Sequence, residues 1–242
     1  MRLVRLFHSQ PPQLGLNWLE EAAAHKVGKV LRMRVGDAVE LVCGDGRNYR
    51  GAIAQCDKKA VVAEIVAIAD NPCTPTLPLH LYMALIKGEQ QDWVLQKAVE
   101  LGATAIVPLM TARSERELSA ERWLKKQQHW QGILTAAALQ CGRAEWPVLS
   151  APQPFDETLG APCALNIMLS PHDEAALQLP SQIDSVALMI GPEGGFTAEE
   201  VALARGKGWQ TQLLGNRILR ADTAAVAAMT AVQLNYGEFK TW

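Results

Sequence analysis

Apolar and polar positions change rhythm partway along the chain. Residues 1–10 alternate Arg2 and Arg5 with Leu3, Val4, Leu6 and Phe7, as in an extended edge segment. Residues 19–31 have a helical period, with Ala24, Val27 and Leu31 on one face. Three β-like runs follow at 38–43, 49–54 and 60–68, separated by the turn clusters Gly44-Asp45-Gly46 and Asp57-Lys58-Lys59. Short strands at that spacing predict a small barrel. Residues 70–78, DNPCTPTLP, hold three prolines and predict a stiff linker. The linker divides the chain into a β domain over 1–72 and a second domain over 73–242.

Past the linker, strands alternate with helices, which predicts a parallel α/β sheet. Strands are expected at 79–86, 104–110, 164–169 and 186–190, with helices at 91–101 and 119–141. In the first helix Val94, Ala98 and Leu101 face inward, and Gly102 ends it. In the second, Trp123, Trp130 and Leu134 recur at helical spacing, a packing stripe rather than a base-stacking platform. The strand at 186–190 stops at Gly191-Pro192-Glu193-Gly194-Gly195, where glycines admit positive φ and close approach to a ligand. Thr197 and Glu200 have capping-box spacing for the helix that follows, which runs to about Gly206-Lys207-Gly208. A further apolar piece at 212–214 leads into Gly215-Asn216-Arg217-Ile218-Leu219-Arg220, with Asp222 placed to cap a last, alanine-rich helix. Ligands of open α/β sheets bind beyond the carboxyl ends of strands, so these successive glycine loops predict one composite pocket.

Composition narrows the function. At 242 residues, 49% hydrophobic and 20% charged, the chain has enough apolar material for a sizeable core. No apolar run approaches a membrane span, and the N-terminus lacks the apolar core of a secretory signal, so a cytoplasmic protein is expected. The five cysteines are scattered, without CxxC, and the five histidines are dispersed, which predicts neither disulfides nor a metal site. His129, within a helical pattern, reads as structural or solvated. Net charge is −2, but residues 1–72 carry ten Lys and Arg against eight Asp and Glu, leaving −4 on the remainder. Lys26, Lys29, Arg32 and Arg34 form a stripe without an interleaved acid, suited either to solvation or to phosphate contacts.

Neither GxGxxG nor GxxxxGK[ST] occurs, which disfavours dinucleotide and P-loop chemistry. GPEGGF followed by LGNRILRADTAA resembles the signature of the RsmE family, SPOUT-type methyltransferases that methylate uracil N3 in 16S ribosomal RNA. VLRMRVGDAVELVCGDG, Lys87, QKAVELGA and the QCGR of residues 140–143 extend the resemblance over most of the chain. It implies a PUA-like RNA-binding barrel ahead of a SPOUT-type, trefoil-knotted parallel-sheet domain, and a homodimer. It also implies S-adenosyl-L-methionine as cofactor and, as partner, the small ribosomal subunit with its decoding-region uridine. The cofactor site so implied comprises Leu169, Ser170, Pro171, Gly191, Pro192, Glu193, Gly194, Gly195, Leu214, Gly215, Ile218, Leu219, Arg220, Thr223 and Ala224. Candidate RNA contacts are Arg2, Arg5, Lys26, Lys29, Arg32, Arg34, Lys87 and Arg143, although a helix-end arginine such as Arg143 can be merely exposed.

Uracil N3 is protonated at neutral pH, so the site needs a base or cations that stabilise the anion. Arg220 is the candidate for stabilisation, and Asp222 and Glu193 are the candidates for proton removal. Ala112 and Leu139 stand where the family pattern has acids, and Asp222 where many relatives have Glu. These departures keep two alternatives open, methylation of another RNA base and a non-catalytic RNA-binding assembly factor.

Overall fold

The alternation of the first seventy residues is realised as a curled sheet. The computed structural model describes residues 3–57, 59–114, 120–160, 162–170 and 180–239. Arg2 and Pro171 therefore lie outside the described residues. The chain divides into two compact units, one formed by the chain up to Thr74 together with Thr135–Trp146, the other by Pro75–Leu134 and the chain from Pro147 onward. Residues 135–146, which a linear division assigns to the second domain, cluster with the first unit.

The first unit begins with β1 (Val4–Phe7), β2 (Gly15–Trp18) and α1 (Glu21–His25). It continues with β3 (Ala38–Val42), β4 (Arg47–Cys56) and β5 (Val61–Asp70). The strand order is β1-β3-β4-β5-β2, antiparallel except for β1 on β3. The two outer strands are drawn together beyond their ladders. His8 Nε2 lies 3.2 Å from the Trp18 carbonyl, and the Ser9 N–H donates to the Glu20 carboxylate at 2.7 Å. Inside lie Leu6, Val39, Leu41, Tyr49, Ile53 and Ile65, closed by Leu19 ahead of α1 and by Ala23 and Val27 from the helical segment.

That helical face differs from the expected Ala24–Val27–Leu31 stripe, because the segment Lys26–Val30 is a π-helix. The Leu31 N–H bonds to the Lys26 carbonyl five residues back at 2.8 Å, which widens the turn and rotates Leu31 out to 42% exposure. The Met33 N–H then closes on Val27 O at 3.0 Å across Arg32, whose φ of 52° is a helix-ending conformation that favours glycine.

Arg5 and Arg143, read from the sequence as RNA contacts, are instead built into the unit. Glu40, 3% exposed, accepts from Arg5 Nε and Arg50 Nε, each at 2.8 Å. Arg5 also donates to Asn48 Oδ1 at 3.1 Å and to the Ala138 carbonyl at 3.4 Å. Removing one partner of such a buried pair costs roughly 3–5 kcal/mol, because the other charge stays buried. Arg143 is only 4% exposed, since residues 135–146 pack on the sheet. Asn71 Nδ2 donates to Asn48 Oδ1 and to the Gly142 carbonyl, at 2.8 and 2.9 Å. Trp146 stacks at a tilt on Phe7 and lies against Gly44, where a Cβ would come within 2.5 Å of the indole.

The second unit contains β6 (Leu79–Ala84), α2 (Gly88–Glu100), β7 (Ala105–Met110) and the first part of α3 (Ala120–Cys141). Then come β8 (Val148–Leu149), β9 (Gln153–Pro154), β10 (Leu165–Leu169) and β11 (Val186–Ile190). The unit ends with α4 (Ala198–Gly206), β12 (Gln210–Gln212) and α5 (Ala221–Asn235). Every pairing is parallel, in the order β12-β10-β11-β6-β7-β8, with β9 also on β7. β11 is buried along its whole length, as its unbroken apolar run requires in a sheet covered on both faces. Helix α2 buries Val94, Leu95, Ala98 and Val99, while Leu101 at its C-cap is half-buried. Trp130 and Leu134 are fully buried, and Trp130 Nε1 donates to Asp92 Oδ1 at 3.1 Å. His129 bonds the other Asp92 oxygen at 2.7 Å, the structural role its helical position suggests.

The ladder of β4 slips between Arg50 and Gly51, where a Cβ on Gly51 would lie 1.9 Å from the Glu64 carbonyl oxygen. Backbone cannot yield as a flexible side chain does. Gly51→Ala is therefore expected to destabilise the protein by about 3 kcal/mol or more, read as a lowered midpoint in urea unfolding.

Candidate active site

Strand β10 lies between β12 and β11, all three parallel, so the chain leaving each emerges at the same edge. The three segments that the sequence offered as a ligand site, 169–171, 191–195 and 214–220, are the ones that follow these strands. At the end of β10 Leu169 is half-buried and Ser170 buried, and the Ser170 N–H donates to the Gln212 carbonyl at 3.0 Å. That bond ties the exit of β10 to the exit of β12.

After β11 the glycine loop folds as a turn, with the Gly195 N–H on the Pro192 carbonyl at 2.8 Å. Pro192 is buried, Gly191 and Gly195 are half-buried, and Glu193 and Gly194 are exposed. Gly191 presses on the Phe196 ring, where a Cβ would stand at 3.0 Å, and Phe196 packs on Phe155 at 5.7 Å between centroids. Gly195 has φ 67° and open space where a Cβ would be. The capping box read from the sequence is present: Thr197 Oγ1 accepts from the Glu200 N–H at 3.2 Å, and Glu200 Oε2 from the Thr197 N–H at 2.8 Å. Glu199, also in the first turn of α4, is held below the usual carboxylate range. Its own backbone N–H contributes most, then the Thr197 hydroxyl; a slight desolvation opposes them, and Arg113 adds the smallest attraction.

Three hydrogen bonds here were not anticipated. Glu200 Oε1 accepts the Ala112 N–H at 2.8 Å, and Arg113 Nη1 donates to the Gly194 carbonyl at 2.7 Å and to the Phe196 carbonyl at 3.4 Å. Side-chain identity at 112 thus matters less to this junction than its backbone N–H. The signal available in the sequence was an arginine just beyond a buried strand, which marks a position but no partner.

The third segment, after β12, is the most open. Leu214 and Leu219 are half-buried, Ile218 is 82% exposed, and Gly215 at φ 74° has no atom near the place a Cβ would occupy. Arg220, exposed and extended at φ −63°, ψ 153°, is the N-cap residue of α5. Asp222 therefore does not cap this helix as expected. The helix starts at Ala221, so Asp222 lies inside the first turn, where its Oδ1 accepts from the Thr223 N–H at 2.6 Å. Thr223 is exposed, Ala224 is half-buried, and the Ala224 N–H bonds to the Arg220 carbonyl at 2.8 Å. Arg220 and Asp222 thus sit one residue either side of the helix start, while Glu193 rides on the turn after β11.

The remaining candidates lie elsewhere on the two units. Lys87, exposed, is the N-cap residue of α2 at the end of β6. Lys26, Lys29, Arg32 and Arg34 are all exposed on the first unit. Among the described residues no group of three or more His, Cys, Asp or Glu is disposed to hold a metal ion, and no helix is long and apolar enough to cross a membrane.

Comparison with known proteins agrees with this geometry. The family described as RNA methyltransferase domain matches residues 73–233, and that described as RNA methyltransferase PUA domain matches residues 19–66. A Synechocystis sp. protein named ribosomal RNA small subunit methyltransferase E is 34% identical over 88% of this chain and 71% of its own length. A methyltransferase from Legionella pneumophila, solved with the bound cofactor SAM, superimposes with a TM-score of 0.92 at 36% identity, covering 99% of this chain and 100% of that one. The ribosomal RNA small subunit methyltransferase E of Neisseria gonorrhoeae, solved bound to S-adenosyl methionine, gives 0.90 at 29% identity over 99% of this chain and 100% of that one. The first unit is accordingly PUA-like and the second SPOUT-type. With three parallel strands delivering their exits to one edge, those of β11 and β12 through glycine-bearing loops, and with these matches along almost its whole length, the chain belongs to the ribosomal RNA small subunit methyltransferase E family.

Proposed function

We propose that this protein transfers a methyl group from S-adenosyl-L-methionine to N3 of a uracil in 16S ribosomal RNA, at the decoding-region uridine. The observation that carries the reading is the convergence of the β10, β11 and β12 exits at one sheet edge, in a chain of this family. The residues present fit the cofactor. Gly195 and Gly215 leave room for close approach to backbone, and Leu169, Leu214, Ile218 and Leu219 offer apolar cover for a flat ring. Ser170, Gly191, Pro192, Gly194, Thr223 and Ala224 complete the assignment from the same three exits. S-adenosylmethionine supplies, when bound, an electrophilic methyl on a sulfonium.

The protein's own task is to make uracil N3 a nucleophile. The N3 proton must leave, and the resulting charge spreads onto the two flanking carbonyl oxygens. Arg220, a permanent cation at the mouth of the third loop, is suited to stabilise that charge. Asp222 is the carboxylate assigned to take the proton, with Glu193 on the neighbouring loop as the other acceptor. Positioning of N3 in line with the methyl supplies much of the remaining acceleration. The basic stripe of the first unit, Lys26, Lys29, Arg32 and Arg34, is assigned to RNA phosphates, and Lys87 to the RNA near the reaction. A deep trefoil knot, a homodimer involving the last helix, and action in the cytoplasm belong to the same reading and rest on the family.

Labelled S-adenosylmethionine and the protein, given to small subunits from a strain lacking this gene, should yield 3-methyluridine on digestion and mass spectrometry. Another methylated nucleoside would overturn the target. Cofactor binding without any product, on subunits, naked RNA or assembly intermediates, would favour a binding factor. Asp222→Asn should bind cofactor normally and lower single-turnover transfer by about 100-fold or more, the scale of a lost general base. Unchanged turnover would remove Asp222 from that role. Replacing Arg32 by Gly relieves an arginine held at φ 52° and should raise stability by roughly 1 kcal/mol. The same change should weaken RNA binding and reduce its salt slope by about 0.7–0.9 for each phosphate no longer neutralised. Equal affinity and slope in Arg32→Gly and the parent would argue that the stripe is merely solvated.

A further inference from the structure

We infer that Arg113 is a positioning residue for this reaction: its guanidinium fixes the Gly194–Gly195 peptide and with it the turn that presents Glu193. The inference rests on the methyl-transfer reading above and adds a residue to it from outside the three cofactor-loop exits.

A peptide with glycine on both sides is the easiest place in a loop to rotate, because neither neighbour has a Cβ to restrain φ and ψ. Here that peptide is held at both ends. Its N–H, from Gly195, bonds to the Pro192 carbonyl at 2.8 Å, and its carbonyl, from Gly194, accepts from Arg113 Nη1 at 2.7 Å. The second bond is charge-assisted and so the stronger kind. The stem of Arg113 covers Gly194 as well, since a Cβ there would stand 3.4 Å from Arg113 Cβ and Cδ.

The adjoining residue is anchored in its turn. The Ala112 N–H enters the Glu200 carboxylate, whose other oxygen closes the capping box of α4. Strand β7, which leads into residues 112–113, is not a neighbour of β11; β6 lies between them. The segment therefore reaches across the end of β6 and grips the glycine loop at Gly194 and the head of α4 at Glu200. Phe196 and the capping box already secure the start of the helix, and Arg113 is itself exposed. The contribution of Arg113 thus falls on the orientation of the turn rather than on the core.

Arg113→Met, which keeps the stem and removes the donors, and Arg113→Lys, which restores one donor and the charge, are compared with the parent protein. Calorimetric titration with S-adenosylmethionine reads the loop without RNA, and single-turnover transfer to small subunits reads the reaction. Arg113→Met should bind the cofactor about tenfold more weakly and transfer at least tenfold more slowly, with a thermal midpoint within ~4 °C of the parent. Arg113→Lys should recover part of both losses, which a purely structural role would not produce. Affinity and rate within about twofold of the parent in Arg113→Met would overturn the assignment, as would losses that appear only with a general fall in thermal stability. If the parent binds the cofactor but transfers no methyl to uracil, the uracil reading fails by itself, and the affinity ratio alone decides the role of Arg113.

Discussion

A sheet whose strands all run the same way has a single edge at which every strand hands on the chain. In the second unit this constraint governs the placement of nearly every candidate residue. Because β10 is inserted between β12 and β11, segments far apart in sequence become neighbours, and no long-range side-chain contact is needed to gather them. The bond from Ser170 N–H to the Gln212 carbonyl then fixes two of the exits to each other through backbone alone. Ile218 and Glu193 stand exposed on exits whose frame includes β11, buried along its whole length.

The first unit obeys a different rule. Its sheet is small and antiparallel but for β1 on β3, and it buries a carboxylate, Glu40, between two arginines. Such a group stabilises little in net terms but is specific, since any shift of β1 or β4 against β3 leaves a charge unpaired. The π turn between α1 and β3 has a comparable character. It turns the polypeptide through Arg32 at a conformation that a glycine would adopt more readily, and the exposed cations flank that point on both sides.

Much of this was legible in the sequence where the cause is local. The buried run of β11, the glycine turn and the Thr197–Glu200 box are set by residues within a few positions of one another, and they appear as expected. Local signals failed where a distant partner decides. Nothing near Arg5 in sequence reveals Glu40 or the Ala138 carbonyl, so a buried clamp read as a surface cation. Arg143 misled for the same reason; Asp222 fails as a cap for a local one, because the helix begins at Ala221 with Arg220 as its N-cap, two residues before the expected start. The strands β2, β8 and β9, four residues or fewer, carry too little alternation to register, and exist because neighbouring strands supply their ladders. Arg113 belongs to this class as well, its role written in the position of Gly194.

The return of residues 135–146 to the first unit has a consequence for how the protein is made. Gly142 and Ala144 offer their carbonyls to Asn71 and Gly46, and Trp146 covers Gly44 and Phe7. A nascent chain that has just emerged as far as the proline-rich linker therefore lacks the piece that finishes its first unit. That unit waits, with Asn71 and Gly44 unsheltered, while β6, α2, β7 and most of α3 are translated. In order of synthesis the N-terminal unit is begun first and completed only midway through the other, so the two share one folding schedule.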